Sequence, residues 1–193
     1  MRIVEPCAAS ESNRTEIEHA AGAMVGTNLT AVRYIYPRFS SPQLTSHDGF
    51  DTVLKGVELS SPNHVLVAMW WMEGVREGLG FIVDPDEQFY DDEALQLVDV
   101  TSENRWTVIR ASTPVSSALS WHLPDDEAPK CAWSFRLNFE SGLSVTVALG
   151  DVDEAGVGLT YQPDSVAVIF DETVAQRYRI LASSESAWGS ELA

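Results

Sequence analysis

The chain has 193 residues, with 29 acidic against 12 basic side chains, a formal net charge of −17, 45% hydrophobic content and 9% aromatics. That balance belongs to a globular chain long enough to bury a core, and its charge repels phosphate backbones and anionic lipid, arguing against nucleic acid and membrane surfaces as direct ligands. No apolar run approaches the ~18 residues of a transmembrane helix, no secretory signal opens the sequence, and the two cysteines, Cys7 and Cys131, form no disulfide framework or metal cluster; the expected location is the cytoplasm.

Residues 1–13 read as a flexible lead-in, followed by one globular domain over 14–183. Asn13 and Glu16 stand at capping-box spacing. Ile17, Ala20, Ala21, Met24 and Val25 then mark one face of a helix that Gly26 ends, with His19 on the solvent side. "NLTAVRYIY" is rich in β-branched and aromatic residues and stops at Pro37, and 37–50 is a loop by its Pro, Ser and Gly content. "TVLKGVEL" and "HVLVAMWWM" are strands around a Pro-containing turn, and "LGFIV" is the next. "DPDEQFYDDE", residues 84–93, holds six acids and no base and reads as a solvated loop or helix start.

In the second half "RWTVIR" (105–110) and "VSSALSWHL" (115–123) are strand-like, with a loop at 124–130. "CAWSFRLNF" alternates Trp133, Phe135, Leu137 and Phe139 against Ser134, Arg136 and Asn138. Its partner strand begins at Leu143, and pairing Phe139 with Leu143 leaves the three-residue loop "ESG", with Gly142 in the left-handed position such loops use. "SVAVIF" is a last strand; Asp171 caps a helix over 172–182, and 184–193 is a frayed tail whose Trp188 is able to fold back. Residues 65–86 align without a gap on 143–164, Pro85-Asp86 falling on Pro163-Asp164, which suggests pseudo-repeats over 27–100 and 105–170. The expected fold is therefore β-rich α+β, about eight mostly antiparallel strands in a two-sheet sandwich or flattened barrel with short N- and C-terminal helices.

The adjacent tryptophans of "VAMWWMEG" must point to opposite faces of a strand. Pairing Val57 with Val67 and Leu59 with Val65 sends Trp71 to the core and leaves Trp70 on an apolar back face with Leu54, Leu66 and Met72. A terminal helix is expected to cover that face.

Catalytic chemistry is not written in the sequence. There is no nucleophile elbow, P-loop or strand–GxGxxG–helix unit. His19, His47, His64 and His122 never reach zinc-site spacing, and His47-Asp48 reads as an exposed turn pair. "DVDEAG" (151–156) opens like a calcium loop but carries Ala155 and Gln162 where ligands are needed. No cofactor and no metal site are expected, and no motif diagnostic of a known family is present. The leading expectation is a non-catalytic protein-binding module whose acidic surface engages a basic protein partner, in the manner of an immunity or antitoxin-like protein. Its candidate contacts are Trp70, Asp84, Asp86, Glu87, Phe89, Tyr90, Asp91, Asp92 and Glu93. The alternatives are a barrel-like domain binding a small apolar ligand, with or without catalysis, and a structural subunit of a larger assembly.

Overall fold

A computed structural model describes residues 3–4, 11–42, 44–73, 76–123, 130–182 and 184–192, with the backbone alone at 3, 4, 11–13, 72, 73, 76 and 92. Cys7 and the 124–129 part of the predicted loop lie outside the described residues. In chain order the elements are β1 (Ile3–Val4), α1 (Glu11–Ala21), β2 (Ala31–Pro37), β3 (Thr45–Ser46), β4 (Phe50–Val53), β5 (Gly56–Ser60), β6 (Val65–Glu73) and β7 (Arg76–Val83). Then come α2 (Glu87–Asp92), β8 (Leu95–Asp99), α3 (Asn104–Ile109), β9 (Pro114–His122), β10 (Cys131–Phe139) and β11 (Ser144–Leu149). β12 (Asp151–Val152), β13 (Leu159–Thr160), β14 (Val166–Ile169), α4 (Glu172–Arg177) and β15 (Ser190–Glu191) complete the described elements.

The strands form three antiparallel sheets instead of two. A six-stranded sheet has the order β1-β7-β6-β5-β2-β8, a seven-stranded sheet the order β15-β9-β10-β11-β14-β4-β3, and β12-β13 stand as a pair. No closed barrel occurs among the described residues. The two large sheets share one core: Phe81 of β7 meets Phe135 of β10 edge to face at 5.6 Å, and Tyr34, Leu59, Leu66, Trp133, Leu137 and Val147 belong to the same buried cluster. α1 adds Ile17, Ala20 and Ala21 to it, and the turn after the helix adds Met24. Ile17, Ala20 and Ala21 are buried as the apolar face predicts, but the helix stops at Ala21 rather than at Gly26, so that Met24 is buried from a turn and Val25 is exposed. The helix begins at Glu11, so Asn13 lies inside its first turn and is not its cap.

The β10–β11 hairpin has the derived register. Leu137 faces Val145, Phe139 N–H donates to Leu143 O at 2.9 Å, and Gly142 has φ +81°. The β5–β6 register differs from expectation by one residue. Val57 faces Ala68 and Leu59 faces Leu66, which places Trp70 on the core side and turns Val67 and Met69 outward. Both faces of β6 are apolar, so its pattern carries no preference for either register. "TVLKGVEL" is also two strands: after Val53 the chain leaves the seven-stranded sheet, exposes Leu54 and enters the other sheet at Gly56. A Cβ at Gly56 would stand 2.5 Å from Ala68 O, so only glycine permits this close entry.

Three further expectations change. "RWTVIR" is the helix α3, with Trp106 and Ile109 buried at i, i+3 and Val108 exposed. α4 has its predicted cap, Asp171 Oδ1 accepting from Val174 N–H at 3.1 Å, but stops at Arg177, because Tyr178 turns inward to place its hydroxyl 2.7 Å from Leu149 O. Segment 184–192 is no frayed tail: it adds β15 to the edge of β9. The aligned halves share a three-strand run, β2-β5-β6 in one large sheet and β9-β10-β11 in the other. They diverge at the next strand, since β6 continues into β7 while β11 passes into β12.

Candidate partner-binding face

The outer face of the six-stranded sheet is covered by α2 rather than by a terminal helix. Phe89 on α2 packs with Ile35, Val67, Met69, Ile82 and Leu95 in a second apolar cluster. The reason lies in "DPDEQFYDDE" itself. Asp86 Oδ1 caps the helix by accepting from Phe89 N–H at 2.9 Å. Phe89 and Tyr90 then turn toward the sheet while Glu87 and Asp91 stay in solvent.

Beneath this helix Glu58 is fully buried. Its carboxylate pairs with the Arg33 guanidinium, accepts from Tyr90 Oη, and accepts from Ser60 Oγ at 3.3 Å. Burial, reinforced by the Glu58 charge, drives the Tyr90 phenol far above its ordinary pKa, so Tyr90 remains a donor to Glu58.

Two non-glycine residues in left-handed backbone conformation bracket the helix, Asp84 at φ +52° and Ala94 at φ +49°. Asp84 is held by its N–H to Val65 O at 2.7 Å, by Val65 N–H to its Oδ1 at 2.8 Å and by His64 Nδ1 at 2.9 Å. Desolvation raises the Asp84 carboxyl, but the bonds from Val65 and His64 outweigh it and hold the group below its usual range. Ala94 O accepts from Arg38 N–H at 2.7 Å.

The nine predicted contacts thus divide. Phe89 and Tyr90 face inward, Asp86 caps, and Asp84 fastens β6 to β7. Asp91 accepts from Arg38 Nη2 at 2.7 Å, the Asp92 side chain lies outside the described residues, and Glu87 and Glu93 remain on the surface with Asp91. Trp70 is half-buried on the core side of the sheet, with Lys55 Nζ 4.2 Å above its ring. Burial lowers the Lys55 ammonium, and Glu93 opposes that shift.

A residue absent from the prediction completes the face. Phe39 is 92% exposed, in a turn fastened to the end of α2 on one side and to β8 on the other. Arg38 reaches Asp91 and Ala94, and Gln96 Nε2 donates to Pro37 O at 2.9 Å and Ser40 O at 2.7 Å. An aromatic flanked by Arg, Ser and Pro in the 37–50 loop was the signal available in the sequence. The result is an exposed ring on a turn whose backbone is tied down, next in sequence to the Arg38 that pairs with Asp91 of α2.

The described clefts are open, and none is lined by Trp or Phe. One of 260 Å³ lies among Tyr36, Thr45, Thr52, Asp151 and Ser165, and another of 450 Å³ follows α4 along Val174 and Tyr178. Near the first cleft Tyr34 Oη donates to Asp51 Oδ2 at 2.6 Å and accepts from Trp106 Nε1 at 3.0 Å, while Arg105 Nη1 donates to Asp51 Oδ1 at 2.9 Å. This buried network joins β2, β4 and α3. His47 stacks on Phe50 at 4.8 Å. Asp153 turns back to accept from Val157 N–H at 3.1 Å, so the calcium-like hexapeptide is a hairpin turn.

No described helix is long and apolar enough to cross a membrane. No family model, curated protein or solved structure matches the chain.

Proposed function

We propose that the chain works by binding, with the face formed by Phe39, Glu87, Asp91 and Glu93 engaging a basic protein partner. The observation that carries this reading is the near-complete exposure of Phe39 on a turn fixed by Arg38 and Gln96. Large aromatics dominate interface energetics when they enter a partner's pocket, and a turn whose backbone is already fixed loses little backbone freedom on binding. The flanking carboxylates and the net charge of −17 supply attraction to a cationic surface and accelerate encounter. An immunity or antitoxin-like role, occluding a basic active site in the cytoplasm, is one form of this activity.

The ligand-binding alternative has less support. Its aromatic lining would have to come from Trp106, Trp133, Phe81 and Phe135, which are at most 1% exposed and packed in the shared core. The test is capture from the source organism with the wild-type chain, Phe39→Ala and Glu87→Lys as baits. A basic protein retained at low salt, released as salt rises and lost with both variants is the expected result. Retention that ignores both substitutions, or no retained protein at low salt, refutes the reading.

A further inference from the structure

The outer face of the seven-stranded sheet buries polar side chains among small ones. Ser120, Ser134, Arg136 and Thr146 are each at most 2% exposed, and Arg136 stands between Thr146 on β11 and Ala118 on β9 in the ladder. Segment 184–192 covers Ser120, Ser134 and Arg136. Ser120 Oγ and Ser134 Oγ donate to Ser186 O and Ala187 O, each at 2.5 Å. The Trp188 ring lies 3.6 Å from Arg136 Cζ. Ser190 and Glu191 pair with Leu119 and Ala118, and Leu192 N–H donates to Ser117 O at 2.9 Å. Gly189 permits the approach: its φ is +63°, and a Cβ there would meet Leu119 O at 2.6 Å.

The cover fits incompletely. The Glu191 carboxylate stops 3.7 Å from Arg136 Nη2, beyond hydrogen-bond distance. Arg136 Nε and Thr146 Oγ1 are buried without a hydrogen-bond partner among the described residues, although buried polar groups are otherwise nearly always paired. Nε and Nη2 are one side of the guanidinium fork, which takes a carboxylate through two parallel bonds.

We propose that β9 and Arg136 form a groove for an extended acidic strand of a partner protein, and that segment 184–192 is its displaceable occupant in cis. The strand form follows from β9, whose edge presents backbone donors and acceptors once β15 leaves. The acid follows from the desolvated guanidinium, whose Nε and neighbouring Thr146 hydroxyl a closer carboxylate satisfies. Displacement follows from the two-residue length of β15 and from the Glu191 carboxylate, which accepts from Asn138 Nδ2 at 3.1 Å and leaves Arg136 without a close acid. This groove lies on the opposite sheet from α2 and seeks the opposite charge from the basic partner, so its test is independent of that reading.

The test uses the full chain and a fluorescein-labelled peptide with the sequence of residues 186–193, SAWGSELA. Gly189→Ala in the full chain should dislodge the cis segment and raise peptide affinity roughly tenfold or more over wild type, read by anisotropy. Arg136→Lys added to Gly189→Ala should remove that gain, since an ammonium lacks the fork, and a peptide with Gln in place of its Glu should bind roughly tenfold more weakly. Equal binding by wild type and Gly189→Ala, or by the Glu and Gln peptides, overturns the proposal. Hydrogen exchange on the unaltered chain gives a second reading that needs no variant to fold. The Leu192 amide should exchange roughly a hundredfold faster than the Val145 and Val147 amides of β11, and exchange as slow as β11 also overturns the proposal.

Discussion

At the scale of single residues, the polar groups the fold buries are more informative than its apolar ones. Tyr34 Oη serves Asp51 and Trp106 at once, so Tyr34→Phe strands two buried groups and should cost about 1–3 kcal/mol in a urea titration. Ala94 offers the opposite sign. Its left-handed φ of +49° penalises a Cβ, and Ala94→Gly should raise stability by about 0.5–1 kcal/mol after the added freedom of the unfolded chain is offset. His122 makes stability depend on pH. It is buried, with Nε2 3.0 Å from Glu77 O, and burial depresses its pKa below 6.5 even though Glu77 opposes this. The unfolded chain therefore takes up a proton before the folded chain does, and stability falls as pH drops below about 6.5 and stops falling below the folded pKa. His122→Gln should flatten the stability profile across this window, measured by urea midpoints at successive pH values. These roles were not legible in the sequence, because nothing local distinguishes Tyr34 from Tyr36 or His122 from His64; long-range packing assigns them.

At the scale of elements, legibility followed how strongly local signals discriminate. The β10–β11 hairpin alternates cleanly and carries glycine where its loop needs one, so its register could be derived. β6 is apolar on both faces, and only the position of α2 decides which tryptophan faces inward. α3 looked like a strand because Trp, Thr, Val and Ile favour sheets, yet its buried Trp106 and Ile109 lie three residues apart, a helical interval. In the acidic segment 84–93 the two aromatics serve the fold, while the exposed aromatic of this region, Phe39, comes from the 37–50 loop. This distinction is measurable. Phe89→Ala should open a cavity over Val67, Met69 and Ile82 and cost about 3–5 kcal/mol. Phe39→Ala should leave the unfolding midpoint within about 0.5 kcal/mol of wild type while abolishing partner capture. If both variants lose stability alike, the turn at Phe39 belongs to the fold and the proposed face is misplaced.

At the scale of the molecule, a charge of −17 acts on folding and on association with opposite consequences for salt. The described cations are largely engaged with nearby carboxylates or carbonyls: Arg33 with Glu58, Arg38 with Asp91, Arg105 with Asp51, and Arg110 with Leu29 O and Thr101 O. The surplus of acids therefore repels across the surface, and compaction brings those charges closer than the unfolded chain does. Added salt screens that repulsion within about 8–10 Å near physiological ionic strength. The thermal midpoint should rise between about 0.01 and 0.15 M NaCl, the range in which the Debye length contracts most. Over the same range the association rate with a basic partner should fall, because long-range attraction is screened while the short-range contact of Phe39 persists. Dissociation should change much less than association, since the ring contact carries little ionic character. Scanning calorimetry and stopped-flow binding in matched buffers separate the two slopes. A midpoint that falls with salt would place the net charge in stabilising pairs rather than in a repulsive excess, and would remove the electrostatic argument for a cationic partner.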